Sequence, residues 1–83
     1  MANKQFDLKI INQKGIVYFG NCNVLFVPTE NDTVAIMAYH EPILMRLSAG
    51  KISVREGHSH SHITDIKHGV LYVGENEVTV LCS

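Results

Sequence analysis

What this chain has little of narrows its chemistry first. It carries only seven Lys and Arg, at Lys4, Lys9, Lys14, Arg46, Lys51, Arg55 and Lys67, and the formal net charge is −1. A nucleic-acid surface needs a clustered positive field, and no stretch of the chain supplies one. Cysteine is limited to Cys22 and Cys82. That is too few for a disulfide framework, so free thiols in a reducing compartment are expected. Uninterrupted apolar runs last only a few residues, far short of the ~20 needed to cross a bilayer as a helix. Membrane contact is therefore expected only through a partner. The start, Met1-Ala2-Asn3-Lys4-Gln5, leads into an amphipathic segment and not into an apolar signal core. There is also no nucleophile motif, no phosphate cradle and no finished metal site, and few windows hold a helical period.

What is present is alternation of period two, the pattern of a half-buried strand. Phe6, Leu8 and Ile10 alternate with Asp7, Lys9 and Ile11, and Asn12-Gln13-Lys14-Gly15 supplies a turn. Ile16 to Phe19 reads as a strand that Gly20-Asn21 breaks or bulges. Asn23 to Val27 reads as the next, stopped by Pro28, which cannot donate to a ladder. A polar turn, Thr29-Glu30-Asn31-Asp32, leads into Thr33 to Met37. Tyr39-His40-Glu41-Pro42 forms a second loop, in which Pro42 biases Glu41 toward extended geometry. Ile43 to Leu47 and Lys51 to Arg55 flank Ser48-Ala49-Gly50, and Gly57 to Ser61 reads as a polar tip. Ile63 to Lys67, Gly69 to Val73 and Glu77 to Leu81 complete the set. At 83 residues the chain is one domain, residues 1–83. The expected fold is all-β, a flattened sandwich or barrel of eight to ten short strands whose apolar faces cover each other.

Several side chains invite a chemical reading, each with a plainer one beside it. In an extended strand His58, His60 and His62 share a face at spacings of about 7 Å, which suits zinc, nickel or copper. The interleaved serines and Gly57 favour a solvated loop with adventitious metal affinity. A cupin-like metal-dependent enzyme would use His58 and His60 with Asp65 and a distant His68, but the acid is normally Glu and the glycine spacing fails. Cys22 paired with a histidine would be a nucleophile only beside an oxyanion hole, and none is identifiable. It reads as a core or edge residue, and Cys82 as an exposed spectator. Tyr18, Phe19, Phe26, Tyr39 and Tyr72 would suit an oligonucleotide-binding barrel if interleaved with Arg or Lys, which they are not. Glu30 and Asp32 form an acid–base pair only if buried; solvated in a turn, they offer an acidic tip to a basic partner.

The order Phe6-x-Leu8-x-Ile10, Gly20, Val27-Pro28-Thr29, His40-x-Pro42, Leu47, Gly50, Gly69-Val70-x-x-Val73 and Val78-Thr79-Val80-Leu81 resembles the epsilon subunit of rotary proton-translocating ATP synthases. The resemblance covers that family's N-terminal β-sandwich end to end. It departs at Glu30-Asn31-Asp32-Thr33-Val34, where the family carries a glycine-bearing turn. It also stops at Ser83, before the family's C-terminal helical hairpin, so inhibition of hydrolysis and regulatory ATP binding do not carry over. The start at Met1 favours a naturally short chain. The resemblance implies a non-catalytic central-stalk subunit without cofactors, on the cytoplasmic side of a bacterial inner membrane. Its implied partners are the gamma subunit and the c-ring, and its implied role is to couple proton-driven rotation to ATP synthesis. It further implies that Thr29, Glu30, Asn31 and Asp32, together with His40, Glu41 and Pro42, face the ring. The surfaces near Ile10 and Met45 are expected to face gamma.

Overall fold

The alternation from Phe6 onward becomes β1 (Phe6–Asn12) in a computed structural model that describes residues 4–38 and 41–83. Eight strands follow: β2 (Gly15–Cys22), β3 (Val24–Pro28), β4 (Thr33–Met37), β5 (Ile43–Leu47), β6 (Gly50–Glu56), β7 (Ser59–Ile66), β8 (Gly69–Val73) and β9 (Glu77–Cys82). No helix occurs among the described residues. The strands build a five-stranded sheet, β2-β1-β9-β8-β5, and a four-stranded sheet, β4-β3-β6-β7. All pairs are antiparallel except β1 with β9, the first and last strands, which run parallel.

In β1, β8 and β9 every second side chain turns inward, while β3 is buried at four of its five positions and β2 and β7 at one each. Phe6, Leu8, Ile10, Leu71, Val73, Val78, Val80 and Leu47 come from the five-stranded sheet, and Leu25, Val27, Ile36, Ile52, Val54 and Ile66 from the four-stranded one. This is the sandwich expected from the sequence, with neither sheet able to bury its apolar side alone.

The chain changes sheet at corners, and these corners are fastened. Between β2 and β3, Asn23 is the buried polar residue among those described. Its Nδ2 donates to the Lys4 carbonyl at 2.9 Å, and its Oδ1 accepts from the Gly57 amide at 2.7 Å. Burial without those partners would cost more than the bonds return, so both are needed. Between β5 and β6, the Ser48 amide donates to the Pro28 carbonyl at 3.0 Å. There Gly50 comes so close to Pro28 that an added Cβ would sit 2.6 Å from the proline Cβ. The Val-Pro-Thr segment and the later glycine, far apart in sequence, thus form a single knuckle. Across the sandwich, the Tyr18 hydroxyl donates to Glu56 Oε2 at 3.1 Å, joining β2 to β6.

Three local expectations are corrected. Gly20-Asn21 does not break β2: Gly20 pairs with Leu8 and Asn21 with Asp7, and the Asn21 amide also bonds the Asp7 carboxylate. The irregularity lies instead opposite Ile10 and Ile11, where Val17 is the extra residue. The segment from Ser59 to Ser61 is not a tip but the start of β7, paired with β6, and only Gly57 and His58 turn. Cys82 is half-buried, with Sγ 3.6 Å from the Ile11 carbonyl, rather than an exposed spectator.

Replacing Gly50 with alanine should lower unfolding free energy by about 1–3 kcal/mol, because the rigid Pro28 ring cannot move aside cheaply. Urea titration checks this. A second expectation concerns alkaline pH. Burial, then Glu56, push the Cys22 thiol up to about 12; burial, then the Glu56 hydrogen bond, push the Tyr18 hydroxyl up to about 12. Both groups hold their protons more tightly folded than unfolded. Their contribution is complete below about pH 9, where the unfolded thiol begins to ionise, and is lost as pH rises toward 12. Melting temperature should fall across that window, and Tyr18→Phe should make the fall shallower.

Candidate docking surfaces

With the inward positions of the five-stranded sheet used by the core, its outward side chains are ordered by strand register into three rows. The first holds Ile16, Ile11, Leu81, Val70 and Arg46, and the second Phe19, Lys9, Thr79, Tyr72 and Leu44. The third holds Asn21, Asp7 and Glu77. Among the described residues, six of the seven exposed large hydrophobic side chains lie in the first two rows: Ile16, Phe19, Leu44, Val70, Tyr72 and Leu81. Leu44 is 74% and Phe19 72% exposed, and the seventh, Met37, belongs to the other sheet. A water-facing sheet surface is normally polar at these positions, so a continuous apolar one marks a contact surface. Lys9 leaves its Nζ 5.6 Å from the Phe19 ring centroid, so its charge lies over the aromatic face.

A second surface is the β3–β4 turn. The Thr29 amide donates to the Asp32 carbonyl at 2.8 Å and the Thr29 hydroxyl to the same oxygen at 2.6 Å. The Asp32 amide returns a bond to Thr29 Oγ1 at 3.2 Å, and Asp32 Oδ1 caps the Thr33 amide at 2.8 Å. These bonds close the turn without a glycine, and they leave Glu30 and Asn31 exposed at its apex. Glu30 and Asp32 are solvated, as the plainer reading held.

The expected ring-facing residues do not converge. The Thr29–Asp32 turn leaves one end of β4, and the loop carrying Glu41 and Pro42 leaves the other, about 17 Å away along the strand. Tyr39 and His40 lie outside the described residues. Ile10 is wholly buried and Met45 packs against the core, so neither forms a surface. The outward residues beside them are Lys9, Ile11, Leu44 and Arg46.

The histidines do not converge either. His58 turns at one end of β7 and His68 follows its other end, which separates the two halves of the cupin-like set. His60 stacks on Phe26 with centroids 5.2 Å apart. A bulge at Ile63 brings His62 and Asp65, three residues apart, onto one face, where His62 Nε2 lies 2.8 Å from Asp65 Oδ1. No group of three or more His, Cys, Asp or Glu able to hold a metal occurs among the described residues. Cys22 is a core residue. Phe19 and Tyr72 share the outer face but are separated by Lys9 and Thr79, and Tyr18 and Phe26 are engaged with Glu56 and His60, so the rings form no continuous stacking platform.

Comparison with known proteins gives these surfaces a setting. Residues 5–83 match the family described as ATP synthase, Delta/Epsilon chain, beta-sandwich domain. An ATP synthase epsilon chain of Nitrosococcus oceani is 31% identical over 72 residues, covering 87% of this chain and 51% of that protein. One from Latilactobacillus sakei is 31% identical over 85 residues, covering 98% and 59%. The chain thus spans little more than half the length of these curated relatives. In fold it is similar to a chain in the Euglena gracilis mitochondrial ATP synthase OSCP/F1/c-ring structure, with TM-score 0.84, 20% identity and coverage of 94% and 50%. It is also similar to one in the Tetrahymena thermophila ATP synthase central stalk and c-ring, with TM-score 0.74, 13% identity and coverage of 99% and 66%. Sandwich, register and family match agree: this chain belongs to the ATP synthase delta/epsilon-chain β-sandwich family.

Proposed function

We propose that this chain is a non-catalytic coupling module of the ATP synthase central stalk. It docks on gamma through the outer face of its five-stranded sheet and on the c-ring through one end of the sandwich. The observation that carries this reading is the gathering of six exposed apolar side chains on one sheet face. Leu81, Val70 and Tyr72 form its centre, with Phe19 and Ile16 at the β2 edge, Leu44 at the β5 edge, and Asp7, Glu77 and Arg46 as a charged margin. An apolar centre with a polar rim is the anatomy of a stable protein interface.

The Thr29–Asp32 turn is the ring contact in this reading, with Glu30 as its charge. Glu41 and Pro42 sit near the Ile43 end of β5 and belong, in this reading, with the gamma-facing margin instead. The two surfaces, a broad face and an end, suit a link loaded from two directions. Strand ladders and an interdigitated core resist the resulting shear. Coupling proton-driven rotation to ATP synthesis then requires stiffness and contact rather than a reaction centre or a cofactor. The chain meets the membrane only through the complex, on the cytoplasmic side of a bacterial inner membrane.

Two outcomes test this. Leu44→Ser with Phe19→Ser should lower retention by immobilised gamma at least about tenfold, since well-packed anchors are worth roughly 1–4 kcal/mol each. Because both side chains are exposed, stability should change by no more than about 0.5 kcal/mol per site. Undiminished retention by gamma contradicts the face assignment. Glu30→Lys should leave gamma binding intact and lower proton-driven ATP synthesis in membrane vesicles. An unchanged rate defeats the turn assignment.

A further inference from the structure

The fold assembles a positive groove that the sequence scatters. At the end of the sandwich that holds the Thr29–Asp32 turn, but on the side of the five-stranded sheet, a cleft of about 610 Å³ opens between the β1–β2 turn and the β7–β8 corner. Lys14, Lys67 and His68 stand around it with Gln13 and Ser83. It continues into a second hollow of about 380 Å³ that shares Gln13, His68 and Ser83 and adds Arg46, Val70 and Leu81. Three of the chain's seven Lys and Arg therefore border one continuous groove, and no Asp or Glu side chain lines it. None of the three forms an ion pair among the described residues, where His62 with Asp65 is the pair that does. The cations come from the β1–β2 turn, the β7–β8 corner and the outward side of β5, and parallel pairing of β1 with β9 brings the first two together.

We propose that this groove binds an acidic, partly apolar segment of a partner protein. The floor decides against other anions. Val70 and Leu81 form an apolar strip beside Arg46, so an occupant made only of phosphate would leave that strip wet. The charge count points the same way. A nucleic-acid site makes ~6–10 phosphate contacts, and a lipid-binding polybasic cluster carries ~4–8 Lys and Arg; this groove offers three and a histidine. A peptide alternating carboxylates with aliphatic side chains satisfies both the cations and the strip. Its carboxylates meet Lys14, Lys67 and Arg46, and its aliphatic groups lie on Val70 and Leu81. The groove shares Arg46, Val70 and Leu81 with the face proposed to dock gamma, so the inference rests on that reading and deepens it by naming the chemistry of the segment that this part of the face takes.

The test is an amide NMR titration of the 83-residue chain with two synthetic hexapeptides, one alternating Glu and Leu, the other Lys and Leu. Saturable shifts should appear around Lys14, Arg46, His68 and Leu81 with the Glu peptide and be absent with the Lys peptide. Arg46→Glu combined with Lys67→Glu should weaken binding about tenfold, the sum expected from two exposed ion pairs, without lowering the melting temperature. Lys51→Glu, at the same end beside the acidic turn, should leave binding unchanged and serves as the control for net charge. No shifts at millimolar peptide, an equal response to both peptides, or binding indifferent to the double charge reversal would overturn the proposal. Co-sedimentation with phosphatidylglycerol vesicles that the double variant abolishes, in place of peptide binding, would assign the groove to a lipid surface and overturn it equally.

Discussion

Strand alternation in the five-stranded sheet is the constraint on which the rest depends. Once Phe6, Leu8, Ile10, Leu71, Val73, Val78 and Val80 are committed to the core, their neighbours have only one other direction to face. Ile11, Val70, Tyr72, Leu81 and Leu44 are therefore held outward by the same geometry that buries the core. A shift of register by one residue would exchange the two sets and destroy both. The apolar outer face is a by-product of the core, which explains how so small a domain keeps it on display without collapsing around it.

The fastenings at the corners serve this geometry. Asn23 closes one end by joining the start of the chain to the β6–β7 tip, and the Pro28–Gly50 knuckle closes the other. That second knuckle also fixes where the Thr29–Asp32 turn projects, because the Ser48 amide holds the Pro28 carbonyl directly before it. Between them, the Tyr18–Glu56 bond ties the β2 edge to the opposite sheet. With one end, one edge and the core secured, the face and the acidic turn keep a fixed relation to each other, as the proposed coupling role requires.

Most of the strands were legible from alternation, and the polar turn after Pro28 from its residue types. The inner and outer sides of β5 were not. Leu44-Met45 is apolar on both faces, so period two cannot say which member is buried and only pairing with the neighbours decides it, whereas Asp7 and Lys9 already mark Ile10 as inward. Gly20-Asn21 reads locally as a breaker, yet the ladder to Leu8 and Asp7 outweighs that preference. The serine and histidine run from His58 has no apolar side at all, and it is strand only because β6 pairs with it. The positive groove was invisible for a related reason. Lys14, Arg46 and Lys67 are separated by tens of residues, and only sheet order makes them neighbours.

Oxidative footprinting of the free chain and of the assembled enzyme tests the central claim most directly. Tyr72 and Phe19 report the outer face of the five-stranded sheet, while Met37, 54% exposed, reports the four-stranded one. The account predicts that assembly protects Tyr72 and Phe19 and leaves Met37 as reactive as before. Protection of Met37 with Tyr72 still fully labelled would show that the partner lies on the other sheet and would contradict it.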